Sequence, residues 1–203
     1  MDLLHQHLSE YHLILASASP RRISLLKEIN LTFDTIPLDV EEVYPADLKE
    51  HEVARFLAQL KAESFPVEKL TAKSILITAD TIVCLNDEIL GKPNDREHAI
   101  EMLRNLSGQM HKVITGVCLR SHDKEFIFSN ETDVYFSKLS DDEITYYVDD
   151  FQPFDKAGAY GIQEWIGYIG IEKIEGSYFN VMGLPVQQLY KELEKFILNE
   201  QKK

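Results

Sequence analysis

Four clusters along the 203-residue chain carry side chains suited to chemistry. The first is Ser17-Ala18-Ser19-Pro20-Arg21-Arg22, which places two hydroxyls and two guanidiniums within one turn. Where a strand feeds a capped helix, backbone N–H groups and the helix dipole favour an anion. The arginine fork matches a phosphate with two parallel hydrogen bonds. An ordinary capped helix with two solvated arginines fits this stretch equally well. It is not a Walker loop, because the Gly-x-x-x-x-Gly-Lys spacing is absent. The second cluster is Thr78-Ala79-Asp80-Thr81, which sets a carboxylate inside an apolar run. A bare buried carboxylate is costly, so Asp80 needs a partner, a cation or an opening to a cleft.

The third cluster, Asp39-Val40-Glu41-Glu42, offers hard oxygen ligands of the kind that suit Mg²⁺ or Mn²⁺. Taken alone it reads better as a solvated acidic turn. The fourth is a pair of lysines. Lys61 falls on the inner side of a helix, and Lys92 sits in a Gly91-Lys92-Pro93 turn. Such lysines usually extend to water, but they could also neutralise a polyphosphate. His111 reads as a strand-start residue rather than a base. His5, His7 and His12 suggest a metal cluster by type only, at a terminus expected to be loose. No Cys/His zinc spacing and no Gly-x-Ser-x-Gly elbow occurs.

The elements that must position these groups alternate along the chain. His12 to Ala16 predicts a buried strand, then Ser19 an N-cap and Pro20 a first helical turn. A second helix is expected from about Asp47 to Ser64, with Val53, Phe56, Leu57 and Leu60 on one face. Ser74 to Leu85 predicts an inner strand. Asn94 with Glu97 predicts a capped helix, and so does Ser140 with Glu143. Lys112 to Arg120 and Glu125 to Leu139 predict strands around a turn at His122-Asp123. Gly158 to Gly183 reads as short strands and loops, before a terminal helix opened by Pro185. Gln201-Lys202-Lys203 is expected to fray. The pattern implies an α/β protein, a single domain over residues 1–203 without a linker.

Composition bounds the rest. Hydrophobic residues make up 44% and charged residues 27%, as in an ordinary globular chain. The net charge of −13 disfavours sequence-independent binding of nucleic acid. Cys84 and Cys118 read as buried thiols of a reducing compartment rather than a disulfide. The run from Ser74 to Leu85 is too short to cross a membrane. The start Met1-Asp2-Leu3 lacks the basic character of a signal peptide, so the cytoplasm is the default location. A homodimer is expected only on the base rate of symmetric assemblies.

Together the clusters resemble the Maf family of nucleoside triphosphate pyrophosphatases, from Leu13 to about Leu193. The resemblance is carried by Leu15-Ala16-Ser17-Ala18-Ser19-Pro20-Arg21-Arg22, Glu42, Lys61-Ala62, Ala79-Asp80-Thr81-Ile82-Val83 and Gly91-Lys92-Pro93. It continues through Ser107-Gly108, His111, Thr115-Gly116-Val117, Asp155-Lys156-Ala157-Gly158-Ala159-Tyr160-Gly161-Ile162-Gln163 and Gly176 to Pro185. It implies a mixed central sheet with flanking helices, two lobes around a deep cleft, and a shape related to inosine triphosphatases. It implies Asp80 as proton acceptor, and Arg21, Thr81 and Gln163 as determinants of substrate choice. That set resembles the subgroup acting on dTTP and UTP. The scheme that follows has the phosphates against Ser17, Ser19 and Arg22, with Lys61 and Lys92 neutralising charge. Glu42, alone or with Asp80, holds a divalent cation, Mg²⁺ or Mn²⁺, and Asp80 is base, metal ligand or both. Gln163 can donate and accept, which matches O4 and N3–H of uracil or thymine. Glu164-Trp165-Ile166-Gly167 departs from a shorter glycine-rich turn in many relatives and bears on the base pocket. The rival expectation is a non-catalytic, nucleotide-binding regulator of septum formation; a γ-phosphatase is a third.

Overall fold

The computed structural model describes residues 3–200. In chain order the elements are α1 (Leu3–Leu8), β1 (His12–Leu15), α2 (Pro20–Glu28), β2 (Phe33–Thr35), α3 (Glu50–Glu63), β3 (Ser74–Leu85) and β4 (Glu88–Leu90). They continue with α4 (Arg96–Leu106), β5 (Met110–Arg120), β6 (Glu125–Phe136), α5 (Asp141–Phe151), α6 (Trp165–Gly170), β7 (Ile171–Glu175), α7 (Tyr178–Met182) and α8 (Val186–Glu200). The strands hydrogen-bond in the order β2-β1-β3-β5-β6-β7, with β4 paired on β3. β1 runs parallel to β2 and to β3, whereas β4 is antiparallel to β3 and β7 to β6, so the sheet is mixed.

The chain divides into two compact units, and the division falls inside β3, between Asp80 and Thr81. Among the described residues, the first unit comprises 3–80, 115–130 and 183–200. Its core includes Ile14, Ala58, Ala62, Phe65, Leu76 and Cys118. α3 lies tightly on the strands because its inward face is small. Ala54, Ala58 and Ala62 are fully buried, and a Cβ added at Gly116 on β5 would sit 2.1 Å from the Ala54 carbonyl oxygen. The Thr78 hydroxyl on β3 donates to the Ala58 carbonyl at 2.6 Å, and Arg120 donates to the Ala62 carbonyl at 2.7 Å. The second unit comprises residues 81–114 and 131–182. Its core is built on Leu103, Leu106, Val134, Ile144, Tyr147 and Ile166.

Four sequence expectations are corrected. Asp95, not Asn94, caps α4: its carboxylate accepts the His98 N–H at 2.8 Å. Both residue types are good caps, and it is the Asp95 carboxylate that has the geometry to accept the helix N–H. α3 begins at Glu50 rather than Asp47. The glycine-punctuated stretch from Gly158 to Gly183 holds α6 and α7 with one strand, β7, between them. These helices are five or six residues long, too short to show a helical period. The N-terminus around His5 and His7 is the helix α1, packed on α8, with Leu4 buried and His5 bonded to the Asn30 carbonyl at 2.7 Å. Cys84 and Cys118 are both buried and form no disulfide. The fraying expected for Gln201-Lys202-Lys203 lies outside the described residues.

Candidate functional site

The first unit gathers an acid, a cation and a second acid at one point. Asp80 stands on β3 and is 6% exposed. Thr78 and Gly116 fix α3 against the strands, which sets Lys61, one turn beyond Ala58, at the same level. The Lys61 ammonium donates to Asp80 Oδ1, and to Glu42 Oε1 at 2.8 Å. Glu42 comes from the segment between β2 and α3. The Lys61 side chain is only 14% exposed and Asp80 is buried, so that half of the contact lies largely out of water, whereas Glu42 meets it from the exposed side. The cost of burying Asp80 is offset in this way, as its position in an apolar strand required.

The turn after β1 adjoins this point. Arg22, in the first turn of α2, donates from Nε to the Gly183 carbonyl and from Nη1 to the Ala79 carbonyl, both at 2.8 Å. It therefore clasps the residue immediately before Asp80. Burial holds the Arg22 guanidinium below its ordinary pKa; Asp80 and Glu42 act against that, and Arg21 adds to it. Ser17 is buried, and its hydroxyl accepts the Ser19 N–H at 3.2 Å. Ser19 occupies the N-cap position, but its hydroxyl makes no capping bond, and Pro20 follows at the helix start. Arg21 is half-buried on the same turn.

The remaining expected residues belong to the second unit. Thr81 is half-buried and follows Asp80 directly on β3. Lys92 is exposed in the Gly91-Lys92-Pro93 turn, where the Gly91 carbonyl accepts the Gly158 N–H at 3.1 Å. That turn follows β4, a short strand that the sequence did not announce. Gln163 lies just before α6; its Oε1 is buried without a hydrogen-bond partner. His111 is no free base: it is 1% exposed, 2.7 Å from the Tyr160 hydroxyl, and burial lowers its pKa to about 4.

A family profile described as Maf-like protein matches residues 12–196. The chain belongs to the Maf family. The dTTP/UTP pyrophosphatase of Bacteroides thetaiotaomicron is 51% identical over 191 residues, covering 93% of this chain and 98% of that protein. The protein of the same name from Parabacteroides distasonis is 50% identical, over 94% of this chain and 99% of its own. That from Flavobacterium johnsoniae is 45% identical, over 96% and 100%. Among solved structures, the Staphylococcus aureus Ham1 protein shares the fold, with a TM-score of 0.53 and 20% identity over 91% of this chain and 98% of that one.

For a Maf protein that binds a divalent cation, Glu42 and Asp80 are the fitting donors. No group of three His, Cys, Asp or Glu able to hold a metal occurs among the described residues. Two carboxylates converging on one cationic atom, Lys61 Nζ, still suit a hard ion of the Mg²⁺ kind. Such an ion takes one or two carboxylates and completes its shell with phosphate oxygens and water. The sequence did not single out Tyr147 and Lys156, nor a polar role for Glu164. Lys156 is 8% exposed and reaches Asp155 at 2.7 Å and Glu164 at 3.2 Å, while the Tyr147 hydroxyl donates to Glu164. No described helix is long and apolar enough to cross a membrane.

Proposed function

We propose that this Maf protein is a nucleotide diphosphatase that hydrolyses dTTP and UTP to the monophosphate and pyrophosphate, a house-cleaning activity on nucleotide pools. The relatives named dTTP/UTP pyrophosphatase match it along nearly all of their length. The observation that carries the chemistry is the Lys61 ammonium bonded to both Asp80 and Glu42, with Arg22 clasping Ala79 beside them.

In this reading the phosphates lie against the Ser17–Arg22 turn, where Ser17, Ser19 and Arg22 orient them. Lys61 supplies positive charge, and Lys92 adds to it. Asp80 orients a water at the α-phosphorus and accepts its proton. A bond forms from that water to phosphorus, the bond to the α–β bridging oxygen breaks, and pyrophosphate leaves with the electron pair. A divalent cation, Mg²⁺ or Mn²⁺, held by Glu42 and by Asp80, would neutralise charge building on the phosphate oxygens. A carboxylate bound to metal is a weaker base, so Asp80 gives one oxygen to the ion only at the expense of proton transfer. Positioning and charge compensation dominate such transfers. Arg21, Thr81 and Gln163 select the base.

Incubating the protein with a panel of triphosphates and Mg²⁺ or Mn²⁺, then identifying the products, tests the reading. UMP and dTMP with pyrophosphate are expected. Diphosphate with orthophosphate would replace it by a γ-phosphatase, and absence of turnover would leave only nucleotide binding. Asp80→Asn is expected to remove nearly all turnover, by at least about 100-fold.

A further inference from the structure

We propose that Glu164, clamped by Lys156 and Tyr147, fixes the Gln163 amide with its nitrogen toward Glu164 and its buried carbonyl oxygen turned away from it, and that this oriented acceptor admits uracil and thymine while rejecting cytosine. The inference rests on the pyrophosphatase reading above and adds the positioning residues behind its base selection.

A glutamine amide is ambiguous: one end accepts, the other donates, and the two differ by a rotation about one bond. Its neighbour decides which end turns toward it and which turns away. Gln163 Nε2 lies 3.5 Å from Glu164 Oε1. That contact is long for a hydrogen bond, but its sign is decisive. Turning the amide over would bring a carbonyl oxygen against a carboxylate oxygen. Glu164 cannot retreat from this confrontation, because both of its oxygens are held. Lys156 Nζ lies 3.2 Å from Oε1, and the Tyr147 hydroxyl donates to Oε2. The Tyr147 oxygen in turn accepts the Gly161 N–H at 3.0 Å. Tyr147 is 0% and Lys156 8% exposed, so the clamp is internal. Burial first, and Glu164 next, push the Tyr147 phenol well above its ordinary pKa, so it stays a donor.

Gly161 gives the pair its space. A Cβ there would stand 2.8 Å from Gln163 Nε2 and 2.9 Å from Glu164 Cδ, closer than real contacts allow. Any side chain at 161 would push the amide and the carboxylate out of register together. The outcome of this packing is a Gln163 Oε1 that is buried and has no hydrogen-bond partner in the protein. A buried unpaired acceptor is costly and calls for a donor from a ligand. Uracil and thymine carry a proton on N3. Cytosine has a bare lone pair there, so acceptor would face acceptor. Discrimination of this kind is large because the wrong base leaves buried groups unpaired.

The test measures kcat/KM for pyrophosphate release from UTP, CTP and 3-methyluridine triphosphate, with melting temperatures recorded for each protein. Wild type is expected to favour UTP over both by about 100-fold or more. Glu164→Gln can satisfy Gln163 in either orientation. It should lower the UTP-to-CTP ratio about tenfold, mainly through the KM values, with kcat for UTP changed less than about threefold. Lys156→Met loosens the same clamp and should move the ratio the same way, which covers the case in which Glu164→Gln does not fold. Gly161→Ala should do so by steric displacement. Unchanged ratios in the folded variants overturn the clamp and leave the pyrophosphatase reading standing. A wild type that releases no pyrophosphate from UTP removes that reading, and the clamp's role with it.

Discussion

Lys61 is the residue on which the candidate site turns. It holds two carboxylates that would otherwise repel each other, one of them nearly buried. Removing the ammonium while keeping the stem leaves an uncompensated pair, and breaking a buried ion pair typically costs about 3 kcal/mol. Lys61→Met is therefore expected to lower stability by roughly that amount and kcat/KM by about 100-fold or more. The same change opens the position to another cation. Mg²⁺ should raise the melting temperature of Lys61→Met more than that of wild type, since binding to the native state alone adds about 2.7 kcal/mol at 100-fold excess over Kd. A thermal shift series with and without Mg²⁺ checks it, and equal shifts would show that Lys61 does not compete with the ion for Glu42 and Asp80. At this scale much was legible. Asp80 in an apolar strand announced a partner, and Lys61 is that partner. Glu42 was not legible alone, because an exposed acidic run looks the same whether or not a lysine from another helix reaches it. The Tyr147–Glu164–Lys156 contacts were hidden for a related reason. Each member follows a plausible local role, and only the fold brings them together.

At the scale of elements, the position of Lys61 depends on how closely α3 approaches the strands. Gly116 permits that approach, since a Cβ there would fall 2.1 Å from the Ala54 carbonyl oxygen, on backbone that cannot swing aside. Gly116→Ala should force α3 outward, costing more than about 2 kcal/mol by denaturant unfolding. Activity should fall with it even where the protein remains folded, because Lys61 rides on that helix. Capping offers a milder comparison, in the second unit. Asp95→Ala should cost about 1 kcal/mol and leave kcat/KM unchanged, whereas Asn94→Ala should cost less. Long elements were readable because period and burial agree over many residues. β3, for example, runs from Ser74 to Leu85 as the apolar run predicted. The cap of α4 was misplaced by one residue because Asn94 and Asp95 are both good caps, and only hydrogen-bond geometry chooses between them. α6 and α7 were missed because one and a half turns give periodicity nothing to act on.

For the molecule as a whole, acid stability sets two tendencies against each other. A net charge of −13 means that protonating carboxylates relieves self-repulsion as pH falls. His111 works in the opposite direction. Burial lowers its pKa from 6.5 to about 4, so the folded protein keeps it neutral where the unfolded chain binds a proton. Between those values the unfolded state holds the extra proton, and stability drops as pH falls. The full span corresponds to a loss on the order of 3 kcal/mol, complete only near the lower value. His111 is fixed among Phe136 and Tyr160, with ring centroids 5.1 and 5.4 Å away, so charging it requires disturbing the second unit's core. His111→Gln keeps a partner for the Tyr160 hydroxyl without the titrating ring. Unfolding free energies measured from pH 7 to pH 4 should fall more steeply in wild type than in His111→Gln. The two curves should diverge or converge only within that window and run parallel above pH 7. A difference that persisted unchanged from pH 7 to pH 4 would assign the effect to packing and not to the proton.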